Sequence, residues 1–435
     1  MQDGLSFVVE GGKTLNGNVE TARSKNGAVA LLAASLLNDG TTTLENVPKI
    51  EEVNRLVEVL RSIGASVEWR EHDLIITPAL IDLSLIDRAA AERTRSILMF
   101  IGALIHRFAS FDIPQSGGCT LGLRSVRQHL WALEKFGVAI EAKSDHFHIE
   151  HGALAPCEVI LYEASDTATI NALLAAAKIP GKSVIKYCSA NYQVQEVCGF
   201  LRALGVKIEG LGTPTLRVEG VAEIKKNIAY SVAEDPTDAM FFIAAAAVTK
   251  SAITIRAAPV EFLEVELFVL EKMGLNYSLE NRRPSENGIT KLADLHLEPS
   301  ELIAFPEKIH ARPYPALNID NLPFFAVIAT QATGMTLIHD WSYEKRAIYY
   351  TELDRLGAIT LLHDPHRISI EGPSKLKAAE IICPPALRPA TIILVGMLAA
   401  KGRSMLRNVY SINRGYEDLV ARLQSLGATI DSHAG

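Results

Sequence analysis

The chain has 435 residues, of which 48% are apolar and 21% charged. That balance belongs to a water-soluble globular protein long enough for two or three domains. A formal net charge of −7 argues against a nucleic-acid partner. Residues 1–12 lack a basic segment leading into an apolar run, and the longest apolar stretch, 28–37, is too short to cross a bilayer. A cytoplasmic protein without a membrane partner is expected. Its five cysteines, 119, 157, 188, 198 and 383, form no CxxC pair, which predicts reduced thiols and neither a disulfide scaffold nor a zinc site.

In chain order, FVVEG at 7–11 alternates like a strand, and AVALLAASLL at 28–37 is apolar nearly all round, like a helix buried between other elements. LRSIGASVEW at 60–69 then closes an amphipathic helix on Gly64 and opens a strand. Glycine at that point takes the left-handed conformation without a Cβ clash. The same arrangement returns at LEKFGVAIEA (133), LRALGVKIEG (201), LEKMGLNYSL (270), LDRLGAITLL (353) and LQSLGATIDS (423). Glycines 64, 137, 205, 274, 357 and 427 are thus spaced by 73, 68, 69, 83 and 70 residues, a repeat counted six times. Further apolar helices are expected in INALLAAAKIP, AMFFIAAAAVTK and TIILVGMLAAKG. Closing strands are expected at FHIEHG, LRVEG, LHLEP and ISIEG. The wide fourth spacing is assigned to a polar loop, ENRRPSENG at 280–288.

Each unit therefore reads helix, strand, helix, strand, strand. The sixth lacks its closing strand, and FVVEG at the N-terminus is the candidate to supply it. Two domains of three units follow, one over 23–232 and the other combining 1–22 with 233–435. They are linked by crossings near Arg23 and Glu234, with a ligand cleft between them.

Several cations sit at helix starts or in loops: Lys25, Arg95, Arg124, Arg388 and Arg414. Lys25 and Arg388 stand where buried helices begin. A cation there opposes the helix dipole, unless an anion binds at the same place. Asp320, before the apolar run NLPFF, reads either as a helix-capping carboxylate or as a base for a substrate hydroxyl. Cys119 lies in the glycine-rich loop QSGGCTLGLRS near Arg124, where cations lower a thiol pKa and a pliable loop can close over a ligand. His146, His148 and His151 read as an exposed hairpin and not as a metal patch.

SKNGA at 24, RS at 95, SGGCTLGLR at 116, YPALNID at 314, EKR at 344, ALRPA at 386 and RGYED at 414 together resemble the enolpyruvyl transferase family, over the full length and in the family's order. The resemblance implies a two-domain inside-out α/β barrel of six βαβαββ-type repeats, three per domain. It implies transfer of the enolpyruvyl group of phosphoenolpyruvate to the 3′-hydroxyl of UDP-N-acetylglucosamine, a step of peptidoglycan synthesis, with no metal or other cofactor. By position, Lys25, Asn26, Arg124, Arg388 and Arg414 would hold phosphoenolpyruvate. Arg95, Arg124, Ser165, Asp320 and Ser342 would contact the nucleotide sugar. Asp320 would be the base, and Cys119 the acid that protonates the methylene carbon; Lys25 would join them in catalysis.

The chain departs from the family pattern toward the nucleotide end. Where the family has Pro-Val-Asp-Leu-His after the loop arginine, this chain has Ser125, Val126, Arg127, Gln128 and His129. The Ser-Val-Gly of the diphosphate loop is Ser165, Asp166, Thr167. Acidic residues are replaced by Asn191 and Gln193, and the Asp-Leu-Arg triplet by Ala386, Leu387, Arg388. These changes leave open a different nucleotide or sugar acceptor, or a non-catalytic binding paralogue. The cysteine loop argues against a shikimate-type enzyme.

Overall fold

The computed structural model describes residues 4–78, 80–115 and 126–434. All six repeat glycines have left-handed backbone, with φ of 96° at Gly64, 95° at Gly137, 104° at Gly205, 93° at Gly274, 88° at Gly357 and 86° at Gly427. A Cβ is disfavoured there, which is why the residue recurs.

The described strands form six sheets, five of four strands and one of three. The third unit shows the pattern. Glu158–Ile160 lies parallel to Gly181–Lys186, which runs antiparallel to Thr215–Gly220, which in turn pairs antiparallel with Lys207–Glu209. The apolar helices Lys25–Ser35, Asp166–Ala177, Pro236–Thr249 and Leu387–Ala399 are buried on almost every side. Each fully buried Leu, Ile or Phe contributes about 1.5–3 kcal/mol relative to leaving it in water.

The Glu-Gly that ends several closing strands has a steric cause. A Cβ on Gly11 would lie 2.0 Å from Met397 O, one on Gly220 2.2 Å from Ala176 O, and one on Gly372 2.4 Å from Ala332 O. In these three units the strand end runs against carbonyls where the buried helix finishes, and no side chain fits between.

The N-terminal strand Leu5–Gly11 lies between Gly402–Arg407 and Thr429–Ala434, pairing Phe7 with Leu406 on one side and with Ser432 on the other. It occupies the closing-strand place of the sixth unit. The buried apolar residues divide into two cores. One is drawn from Ala28 through Val232, the other from Phe7 to Val19 together with Ala239 through Ile430. The strands beside the crossings stay with their own cores: Asn16–Glu20 runs parallel to Ala252–Ala258, and Ile228–Ser231 parallel to Thr42–Glu45. The crossings touch one another. Arg23 bridges Glu234 through the backbone, and its Nη1 donates to Glu234 Oε1 at 2.8 Å and to Val232 O at 3.0 Å.

The insertion at 280–288 is not a plain loop. Tyr277–Pro284 is a strand paired with Lys291–Leu297, bulged between Glu280 and Arg283, and only the tip turns. Its polar residues are accommodated because that strand is exposed along most of its length. The tip reaches the other core: Glu286 Oε2 accepts from Ser231 Oγ at 2.6 Å and Asn46 Nδ2 at 2.9 Å, and Arg23 lies 3.4 Å from its Oε1.

Candidate active site

Lys25 opens the buried helix Lys25–Ser35, whose N-cap Ser24 accepts from Gly27 N at 2.8 Å. The backbone N–H of Lys25 donates to Asp235 Oδ2 at 3.2 Å. Asp235 also caps the helix Pro236–Thr249 through Thr237 N at 2.8 Å. One carboxylate therefore fixes a helix start in each core. Asn26 donates to Tyr192 OH at 2.9 Å.

Burial lowers the Lys25 pKa. Glu52 pulls it back up, the guanidiniums of Arg414 and Arg388 lower it further, and Asp320 again raises it. Charges from both cores thus act on one ammonium group. Arg388, on the first turn of Leu387–Ala399, donates to Asp320 Oδ2 at 3.1 Å and to Tyr416 OH at 3.2 Å. Burial would raise the Asp320 pKa, but Arg388, Arg346 and Lys25 outweigh it and hold that pKa at about 2. The capping alternative for Asp320 is not what the structure shows. The helix Leu322–Ala329 is preceded by Asn321 and has no side-chain cap, while the Asp320 carboxylate faces Arg388.

Arg414 spans the two cores to reach Glu52, with Nη2 at 2.6 Å and Nε at 3.3 Å from Glu52 Oε2. The other oxygen of Glu52 accepts from Thr94 Oγ1 and, at 3.2 Å, from Ser96 Oγ. Arg95 starts the 3₁₀ turn that Thr94 caps, and its charge acts on the buried His129. Burial drives the His129 pKa down to about 3, so its ring is neutral, placed between Thr167 Oγ1 at 3.2 Å and Asn171 Nδ2 at 2.7 Å.

Lys25, Asp320, Arg388 and Arg414 therefore meet at the seam. Asn26 is adjacent, and Arg95 lies further along the first core. Ser165 uses its hydroxyl to cap the helix Asp166–Ala177. Ser342 is half-buried and, among the described residues, hydrogen-bonds to none of that group. Cys119 and Arg124 lie outside the described residues.

Sequence reasoning missed Glu52 and Arg346. Arg346 is fully buried, paired with Asp340 at 2.5 and 2.9 Å, and its Nη2 donates to Ile319 O at 2.7 Å. It fixes the backbone immediately before Asp320. The EKR match contained this residue, but nothing local revealed its target. Among the described residues no group of His, Cys, Asp or Glu could hold a metal ion, and no helix is long and apolar enough to cross a membrane. The hairpin histidines instead contact neighbours such as Asp112, 2.7 Å from His148 Nδ1.

Among solved structures, the enolpyruvyl transferase NikO from Streptomyces tendae matches with a TM-score of 0.87 at 23% identity, covering all of both chains. An EPSP synthase from Acinetobacter baumannii matches at 0.76 and 20%, covering 99% of this chain and 100% of that one. Two cores built from six repeated sheets thus form the enolpyruvyl transferase fold. The model of the family described as EPSP synthase (3-phosphoshikimate 1-carboxyvinyltransferase) matches residues 9–423, and the chain belongs to that family of transferases. It is 34% identical over 430 residues to a UDP-N-acetylglucosamine 1-carboxyvinyltransferase of Bradyrhizobium diazoefficiens, covering 98% of this chain and 97% of that one. A protein of the same name from Treponema pallidum is 33% identical over 425 residues, with 98% of each covered.

Proposed function

We propose that the chain transfers the enolpyruvyl group of phosphoenolpyruvate to the 3′-hydroxyl of UDP-N-acetylglucosamine, releasing inorganic phosphate, in the cytoplasmic synthesis of peptidoglycan. The observation that carries this reading is the meeting of Lys25, Arg388 and Arg414 beside Asp320 where the two cores adjoin. Crowded, partly desolvated cations depress one another, and a ligand bearing a phosphate and a carboxylate relieves that strain through charge-assisted hydrogen bonds. The names of the full-length relatives supply the acceptor.

In this reading the domains are 23–232 and 1–22 with 233–435. The sugar oxygen forms a bond to C2 of phosphoenolpyruvate while its proton passes to Asp320. Cys119 delivers a proton to C3. Loss of a C3 proton and of phosphate then restores the double bond in the product. Asp320 paired with Arg388 is a weak base, with a pKa of about 2. An arriving anion competes for Arg388, loosens that pair and raises the basicity of Asp320 when the hydroxyl is in place. Arg124 and Asn26 complete the phosphoenolpyruvate site, and Arg95, Ser165 and Ser342 the nucleotide-sugar site.

The test is phosphate release from phosphoenolpyruvate with UDP-N-acetylglucosamine as acceptor. Release that requires both substrates is expected. No release with that acceptor, but release with another nucleotide sugar, replaces the acceptor and keeps the reaction.

A further inference from the structure

Asp166 stands at the first position of the helix Asp166–Ala177, half-buried, and its three hydrogen-bond partners among the described residues are all uncharged. Ser189 Oγ donates to Oδ1. Gln193 Nε2 at 2.5 Å and Asn191 Nδ2 at 3.3 Å donate to Oδ2. Ser189 and Gln193 are buried, so the carboxylate is held from behind by a fixed polar wall. A carboxylate has about four acceptor positions, and three are used.

Gln193 adds a second, independent feature. It is 5% exposed, and its Oε1 is buried with no donor among the described residues. Turning the amide over would set that oxygen against the Asp166 carboxylate, so Asp166 fixes its orientation. A buried acceptor without a partner is costly, and a ligand donor is one way to satisfy it. The location belongs to the reaction site, because the charge of Asp320 acts on Asp166 and helps raise its pKa to about 6, behind the larger effect of burial.

We propose that Asp166, with Gln193 and Asn191 behind it, is the specificity-determining subsite that reads a sugar hydroxyl of the acceptor and keeps phosphate groups out of that position. The inference rests on the enolpyruvyl transfer proposed above. A hydroxyl donates, and it matches the open acceptor position on Asp166 and the unmet one on Gln193. A phosphate at neutral pH offers only acceptors and negative charge, so it meets like charge at Asp166. The helix start that would otherwise attract an anion already carries one. The acceptor therefore lies with its sugar toward Asp166 and Asp320, and its diphosphate displaced from the Asp166–Ala177 helix start.

The test compares the wild type with Asp166→Asn and Asp166→Ala, each checked for an unchanged circular-dichroism spectrum. Phosphate release and calorimetric binding are measured with UDP-N-acetylglucosamine and with analogues lacking one sugar hydroxyl at a time. In D166A the KM for the sugar should rise roughly ten- to a hundredfold, with the KM for phosphoenolpyruvate little changed and kcat falling far less. D166N, which keeps one acceptor oxygen, should lose less. One deoxy analogue should be weakened in the wild type and no further weakened in D166A. If D166A or D166N instead binds UDP-N-acetylglucosamine more tightly than the wild type, the carboxylate reads no sugar hydroxyl and the proposal is overturned. Unchanged KM and binding in both variants overturns it equally, while leaving enolpyruvyl transfer standing. If the wild type neither binds nor turns over UDP-N-acetylglucosamine, both that acceptor and this subsite fall.

Discussion

Glu52→Gln removes a charge whose worth can be worked through. Glu52 is 4% exposed on the helix Glu51–Ser62 and accepts from Arg414, Thr94 and Ser96. Burial pushes its pKa up, but Lys25 and Arg414 more than cancel this and hold it at about 2, against an ordinary 4.5. A carboxylate with a depressed pKa stabilises the fold above its unfolded pKa and loses that contribution as pH falls through the folded one. The difference corresponds to ~3.4 kcal/mol at pH 7 and ~1.4 kcal/mol at pH 3. Glutamine keeps the shape and loses the charge. Urea unfolding should therefore show E52Q less stable by about 3 kcal/mol at pH 7 and by about 1 kcal/mol at pH 3. A deficit that does not change with pH, or one under ~0.5 kcal/mol at pH 7, refutes the reasoning.

Three further outcomes are expected. Asp320→Asn should lower kcat at least ~100-fold while calorimetry still detects both substrates; loss of binding together with turnover would assign the residue to ligand grip alone. Cys119→Ser should lose most turnover and resist alkylation by an epoxide, read by intact mass, and full activity would remove the thiol from the acid role. Glu196 is buried against Ala233 N at 2.6 Å, and burial, with Glu234 and Asp235 adding to it, raises its pKa to about 8. An acid with a raised folded pKa weakens the fold as pH climbs from about 4.5 toward 8, so wild-type melting temperature should fall over that range and Glu196→Gln should flatten the slope. Parallel slopes would show that Glu196 does not titrate there.

The repeat was legible because its glycines are demanded by local geometry. Gly64 and its five counterparts need left-handed backbone wherever the unit occurs, so they survive as a period. The glycines of the closing strands are visible for a related reason, close approach to helix carbonyls. Lys25 and Arg388 could be singled out because a cation at the start of an apolar helix conflicts with the helix dipole. Glu52 could not. As a first-turn acid in an amphipathic helix it looks solvated, and its burial depends on Arg414, 362 positions later. The hairpin at 277–297 was half-missed because its outer strand has no apolar alternation beyond Leu279, and its tip is held by polar contacts to the other core. The Asp166 change could be seen as an acid where phosphate was expected, but its neutral partners Ser189, Asn191 and Gln193 come together only through folding.

The two ends of the proposed site differ in how they are built, and the departures from the family pattern, Ala386 apart, fall at one of them. The transfer end is shared. Lys25 and Glu52 come from the first core and Asp320, Arg388 and Arg414 from the second, and each charge is set by others across the seam. Changing Glu52 or Arg414 leaves a buried charge uncompensated in the opposite core, which costs about 3–5 kcal/mol. The part of the proposed acceptor site around Asp166 is built from the first core. Arg95, His129, Asp166, Thr167, Ser189, Asn191 and Gln193 all fall between residues 94 and 193, and among the described residues the hydrogen bonds of the Asp166 and His129 side chains stay within that span. An acid can be introduced there together with its neutral donors, coupled to the seam only through the charge of Asp320. Selectivity for the acceptor is thus free to change while the chemistry that both cores must assemble stays fixed.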